Sequence, residues 1–182
     1  MNIVMTGFEP FGGSAVNASW EAVREVPGVR AVLLPVSFRR AAQTVRELAG
    51  EMPDAILCVG EAGGRSAVSF ERVAVNLMDA RIPDNDGFQP VDEPLCPGKR
   101  EAMFSTLPTR RMMEAVRALG IPAELSYTAG TYVCNAVFYS LMDEIRALGA
   151  PVLGGFIHVP AKGIEIPLLR TALKTAAECL CP

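Results

Sequence analysis

At 182 residues, 50% of them hydrophobic and 20% charged, the chain has material for one compact domain with a full core. A net charge of −3 and a sequence pI near 5.3 offer no basic surface to nucleic acid or to anionic lipid. No stretch approaches the roughly 20 apolar residues that span a bilayer, and Met1–Gly7 lacks the basic and apolar runs of a secretory signal. Five cysteines (Cys58, Cys96, Cys134, Cys179 and Cys181) form no dense framework and fit free thiols in a reducing cytoplasm. One histidine among scattered cysteines argues against a zinc site.

In chain order, strand and helix alternate. Asn2–Thr6 is a short apolar run read as a buried strand, followed by the loop Phe8–Gly13. The glycines there lack the dinucleotide spacing, so no nucleotide cofactor is expected. Phe8 and Phe11, just past a strand's carboxyl end, suit either a small apolar pocket or a plug in the core. Asn17 offers a cap for a helix over Trp20–Val26. Val29–Val36 reads as a second strand. Phe38–Glu51 reads as a helix facing inward with Ala41, Val45 and Leu48. Asp54–Gly60 is a strand continuous enough in apolar residues to be buried on both faces, with Cys58 as a small core residue. The glycine-rich Gly60–Arg65 follows. Val68–Leu77 alternates as one further strand, and the proline-rich Asp84–Lys99 is an excursion over one face. Its Asp84 and Asp86 do not match a calcium loop, and Asp84, Asn85 and Arg65 read as turn and loop anchors. Thr109–Leu119 is a helix closed by Gly120. Pro151–His158 is a late strand. Glu165–Leu180 is the last helix, with Leu168, Leu169, Leu173 and Ala176 as its buried side. The alternation predicts one three-layer α/β/α sandwich over residues 1–182, with a mostly parallel, mixed sheet.

The stretch with most chemistry is Ser126–Ile145. Glycine-containing turn residues precede a helix whose apolar stripe runs through Val137, Leu141, Ile145 and Leu148, with Asp143, Glu144 and Arg146 off it. This sets Cys134 at a helix N-terminus, where N–H groups and the macrodipole favour a thiolate. His158 is the only imidazole in the chain able to serve as its base. A third group to orient that imidazole is left open by the residues themselves, since 20 acidic side chains compete for the role.

A resemblance narrows this. The blocks Thr6–Gly13, Cys58–Arg65, Glu71–Asn76, Asp79–Asn85, Phe104–Pro108, Tyr127–Asn135 and Gly155–Pro160 are similar to the pyroglutamyl-peptidase I (pyrrolidone-carboxyl peptidase) family of cysteine peptidases. The resemblance implies Cys134 as nucleophile, His158 as general base and acid, and Glu71 as the orienting carboxylate. It places Arg81 near the oxyanion and Phe8, Phe11, Glu61, Tyr132 and Val133 at the substrate pocket. It implies no cofactor or metal, small peptides with an N-terminal pyroglutamate as substrates, a cytoplasmic location, and a homodimer or homotetramer. Three departures stand out: Glu61 replaces a more usual Gln, Ala136 replaces a common His, and the segment around Ala161–Gly163 is short. Two other readings are a relative that only binds pyroglutamyl peptides and another α/β enzyme such as a nucleoside phosphorylase. The latter wants a phosphate-binding glycine fingerprint that is not in the sequence.

Overall fold

The structure, a computed structural model, describes residues 1–149 and 151–181. Its elements are β1 (Ile3–Phe8), α1 (Ala18–Val23), β2 (Arg30–Leu34), α2 (Phe38–Gly50), β3 (Ala55–Ala62), β4 (Val68–Glu71), β5 (Val73–Val75), β6 (Ala102–Phe104), α3 (Thr109–Ala118), β7 (Ala123–Ser126), α4 (Val133–Leu148), β8 (Leu153–Pro160) and α5 (Ile166–Glu178). A six-stranded sheet has the order β2-β1-β3-β8-β4-β7. Its first four strands run parallel, and β4 lies antiparallel to β8 with β7 parallel beside β4.

The apolar runs of β1 and β3 are buried on both faces because helices cover both. On one face Met5, Leu57, Val59, Phe70 and Ile157 pack with α1, α3 and α5. On the other Val4, Ile56, Cys58 and Phe156 pack with α2 and α4. Residues alternate along a strand, so Gly60 and His158 share the second face with Cys58 and Phe156, and Glu71, next to Phe70, shares it too. Helix starts are fixed by polar side chains. Asn17 Oδ1 accepts from Ser19 N at α1, while Ser37 Oγ and Asp84 Oδ2 accept from Arg40 N and Phe38 N at α2.

Several sequence expectations are corrected. Val68–Leu77 is two strands: Arg72 N still bonds Ser126 O of β7, but its carbonyl takes Ser105 N, and there the chain leaves the main sheet. Beyond it, β5 pairs with β6 in a separate antiparallel ladder. Helix α1 stops at Val23, short of Val26. Helix α4 is buried nearly all round, Asp143 included, which pairs with Lys99 Nζ at 2.5 Å under the Asp84–Lys99 excursion. Leu148, beside the left-handed cap Gly149, is exposed, as is Leu168. Cys179 is buried in the core, and Cys181 is exposed.

Candidate active site

Helix α4 begins at Val133 with Tyr132 as N-cap and no side-chain cap, so its first N–H groups are available to a ligand. Cys134 stands in that first turn, half-buried. Its Sγ lies directly over Gly60 of β3: a methyl group on Gly60 would sit 2.7 Å from the sulfur and 2.8 Å from Phe156 Cζ. Across the β3–β8 ladder, Gly60 is the register partner of His158. The absence of a side chain at Gly60 is therefore what lets the thiol settle on the face that carries the imidazole.

His158 Nδ1 meets Glu71 Oε1 at 2.7 Å, deep in the molecule. That contact fixes the tautomer: Nδ1 carries the proton donated to the carboxylate, which leaves Nε2 as a proton acceptor. The Phe156 ring packs beside the imidazole, centroids 4.8 Å apart. Burial pushes the His158 imidazole below its ordinary range, with Glu71 acting in the opposite sense. Burial also raises the Cys134 thiol to about 12, assisted by the Glu71 charge and opposed by Arg65. Desolvation thus opposes the thiolate that the helix N-terminus favours.

Next to the thiol is a pocket with about 230 Å³ of empty space, lined by Phe8, Phe11, Asn17, Val36, Glu61, Tyr132, Val133 and Cys134. It lies at the carboxyl ends of β1 and β3. Phe8 is both core and pocket wall, buried yet lining the cavity, whereas Phe11 is half-buried and tilts against Tyr132 at 6.2 Å. Tyr132 is held by its hydroxyl on Pro83 O at 3.0 Å and by an edge-on contact with Phe38 at 5.4 Å. Glu61 Oε2 accepts Ala18 N at 2.7 Å, so the charge introduced there meets the first turn of α1.

Arg81 is exposed, two residues beyond Asp79, whose N–H donates to Thr131 O and whose carbonyl accepts from Thr131 Oγ1 ahead of α4. Asp84 and Asn85 are the loop anchors expected: Asp84 Oδ1 accepts Asp86 N and Phe88 N, and Asn85 Nδ2 donates to Glu9 Oε1 and Pro10 O. Asn17 and Val36 were legible only as a helix cap and a strand residue, since no spacing marks a pocket wall. Among the described residues, no group of three His, Cys, Asp or Glu gathers as a metal site, and no helix is long and apolar enough to cross a membrane.

The family model for pyroglutamyl peptidase matches residues 1–170. The chain belongs to the pyroglutamyl peptidase family. The pyrrolidone-carboxylate peptidase of Bacillus subtilis is 46% identical, covering 96% of this chain and 90% of its own length. That of Thermococcus onnurineus is 43% identical over 98% of this chain and 94% of its own. Among solved structures, pyroglutamyl peptidase I from Bacillus amyloliquefaciens superposes with a TM-score of 0.94 at 42% identity, covering 99% of this chain and 95% of that one. Pyrrolidone carboxyl peptidase from Pyrococcus furiosus gives 0.92 at 37% identity, covering 98% and 97%. The family and the mixed, mostly parallel α/β/α fold expected from the sequence are thereby met.

Proposed function

We propose that this pyroglutamyl-peptidase family member is a cysteine exopeptidase that releases an N-terminal pyroglutamyl residue, with Cys134 as nucleophile, His158 as base and acid, and Glu71 as the orienting carboxylate. The observation that carries the reading is the 2.7 Å contact of His158 Nδ1 with buried Glu71, on the same sheet face where Cys134 Sγ rests against Gly60. The lactam ring of the substrate is small, flat and uncharged at nitrogen, and suits a slot between Phe8, Phe11, Tyr132 and Val133, with Glu61 at its wall.

Attack starts at Cys134. The Cys134 proton passes to His158 Nε2 as sulfur adds to the pyroglutamyl carbonyl. Free N–H groups of the first turn of α4 steady the oxyanion, with Arg81 as a supporting cation. His158 returns the proton to the departing amine, and the C–N bond breaks to leave a thioester. Water, deprotonated by His158, releases pyroglutamate and restores the thiol. The free thiols fit a reducing cytoplasm, and a homodimer or homotetramer is the assembly implied by the sequence resemblance, to be read from light scattering.

The test is release of a fluorescent amine from a pyroglutamyl amide by reduced protein, beside Cys134→Ser and a prolyl amide control. Cleavage of the pyroglutamyl amide alone is expected, with loss on the order of 10³-fold or more in the variant. A folded, reduced protein that leaves the amide intact would overturn the reading and favour a relative that only binds such peptides.

A further inference from the structure

A buried carboxylate needs more than one imidazole to stay charged. Glu71 has no exposed surface, and its Oε2 has no hydrogen-bond partner among the described residues. Taking such an ion out of water costs several kcal/mol unless a charge of opposite sign is at hand. Arg65, in the loop between β3 and β4, supplies that charge. Its Nη1 stands 2.7 Å from Glu71 Oε1, the same oxygen that meets His158, without the alignment of a hydrogen bond, so the contact is ionic. The other arm of the same guanidinium is spent elsewhere: Nη2 donates to Thr128 O at 2.8 Å. Thr128 belongs to a turn tightened by Ser126 Oγ, which donates to Thr128 O, and by Thr128 Oγ1, which accepts Gly130 N. That turn leads directly into Tyr132 and Cys134.

We propose that Arg65 is a positioning residue for the reaction: it holds ionised Glu71 on Nδ1 of His158 and fastens that carboxylate to the turn that delivers Cys134. This rests on the catalytic reading above. A planar fork suits the task because its two arms are fixed relative to each other, which a lysine cannot reproduce. The guanidinium touches neither the sulfur nor the substrate pocket, so it acts through Glu71 and the turn. It also adds a positive charge close to the imidazole. Among the described residues, the charged groups acting on His158 are Glu71 from β4 and Arg65 from the loop between β3 and β4, while Cys134 on α4 feels Glu71, Cys58 and Arg65. Of these, Arg65 is the cation, and its charge lowers His158. Removing it raises the imidazole, so the loss of base on acidification begins at a higher pH.

The experiment measures kcat, KM and their pH profile for Arg65→Gln and Arg65→Lys, together with the pH dependence of Cys134 carboxamidomethylation followed by mass spectrometry of its peptide. For Arg65→Gln, kcat is expected to fall on the order of 10- to 100-fold, as when an outer partner of a reacting group is lost. KM should change by less than about 3-fold, and the acid limb should move to higher pH in both turnover and alkylation. Arg65→Lys, which keeps the charge but not the fork, should keep the limb near its original position while kcat falls about 3- to 10-fold. An unmoved acid limb in Arg65→Gln, or unchanged kcat in Arg65→Lys, overturns the proposal. If Arg65→Gln does not fold, the lysine variant decides alone. Alkylation needs no substrate, so failure of the peptidase reading would show as an inactive wild type, separately from the behaviour of Arg65.

Discussion

Cys134 depends on an atom that is missing. Gly60 leaves the space in which the thiol lies, and a methyl group there meets both Sγ at 2.7 Å and the Phe156 ring at 2.8 Å. Gly60→Ala should therefore displace the sulfur while sparing the strand, which adopts ordinary extended geometry and tolerates alanine elsewhere. We expect turnover to fall at least about 10²-fold with a modest stability loss of about 1–3 kcal/mol, since misplacing a reacting atom by an ångström costs that much. Activity within a few-fold of wild type would show that the thiol does not need that space. At this scale the sequence singles out the proposed nucleophile and base. Cys134 falls at the start of a helix, and His158 is the chain's one histidine. Glu71 was not legible from the residues, because it sits 87 positions from His158 and only the sheet brings them together. Arg65 read as a turn residue for the same reason. The helix start that favours a thiolate is visible in sequence, whereas the desolvation that opposes it is not.

Elements that were legible are those whose apolar pattern is regular. The runs in β1 and β3 announce themselves because nearly every residue is apolar, and the stripe of α2 because its apolar residues recur at helical spacing among charged ones. Strand direction carries no such signal. Nothing in Val68–Leu77 shows that β4 is reversed against β8 or that the chain changes sheets at Arg72. Beyond that crossing the chain is held by Asn135, fully buried next to Cys134. Its Oδ1 accepts Val75 N at 2.9 Å, and its Nδ2 donates to Val75 O at 2.9 Å and Leu77 O at 3.0 Å. One amide thus stitches β5 and the segment after it onto α4. Asn135→Ala removes three bonds and strands backbone groups without partners, an expected loss of about 2–4 kcal/mol. A urea titration would show a lower midpoint with an unchanged slope. A loss below about 0.5 kcal/mol would mean that water replaces the amide at little cost, as at exposed positions.

For the whole molecule, two buried groups and the half-buried Cys134 bound the pH range of stability. Folded His158 resists protonation, so below about 6.5 the unfolded chain binds a proton that the native one does not, and stability declines as pH falls toward the lower native value. Cys58 and Cys134, each raised to about 12 by burial, keep protons that the unfolded chain releases from about 8.5 upward, so stability declines again as pH rises. Thermal midpoints should be highest between about 6.5 and 8.5 and fall on both sides. A midpoint still climbing above pH 9 would contradict the alkaline arm. The sheet order has a further consequence for how the chain is made. β3 and β4 follow one another in sequence yet are not neighbours, because β8 lies between them. Until residues 153–160 have left the ribosome, the two strands expose facing edges with nothing to join them. The nascent chain must keep that gap open, unpaired and shielded from other edges, through some eighty residues of synthesis. The strand that closes the gap is the one that carries the imidazole, so the last insertion into the sheet also sets His158 against Glu71.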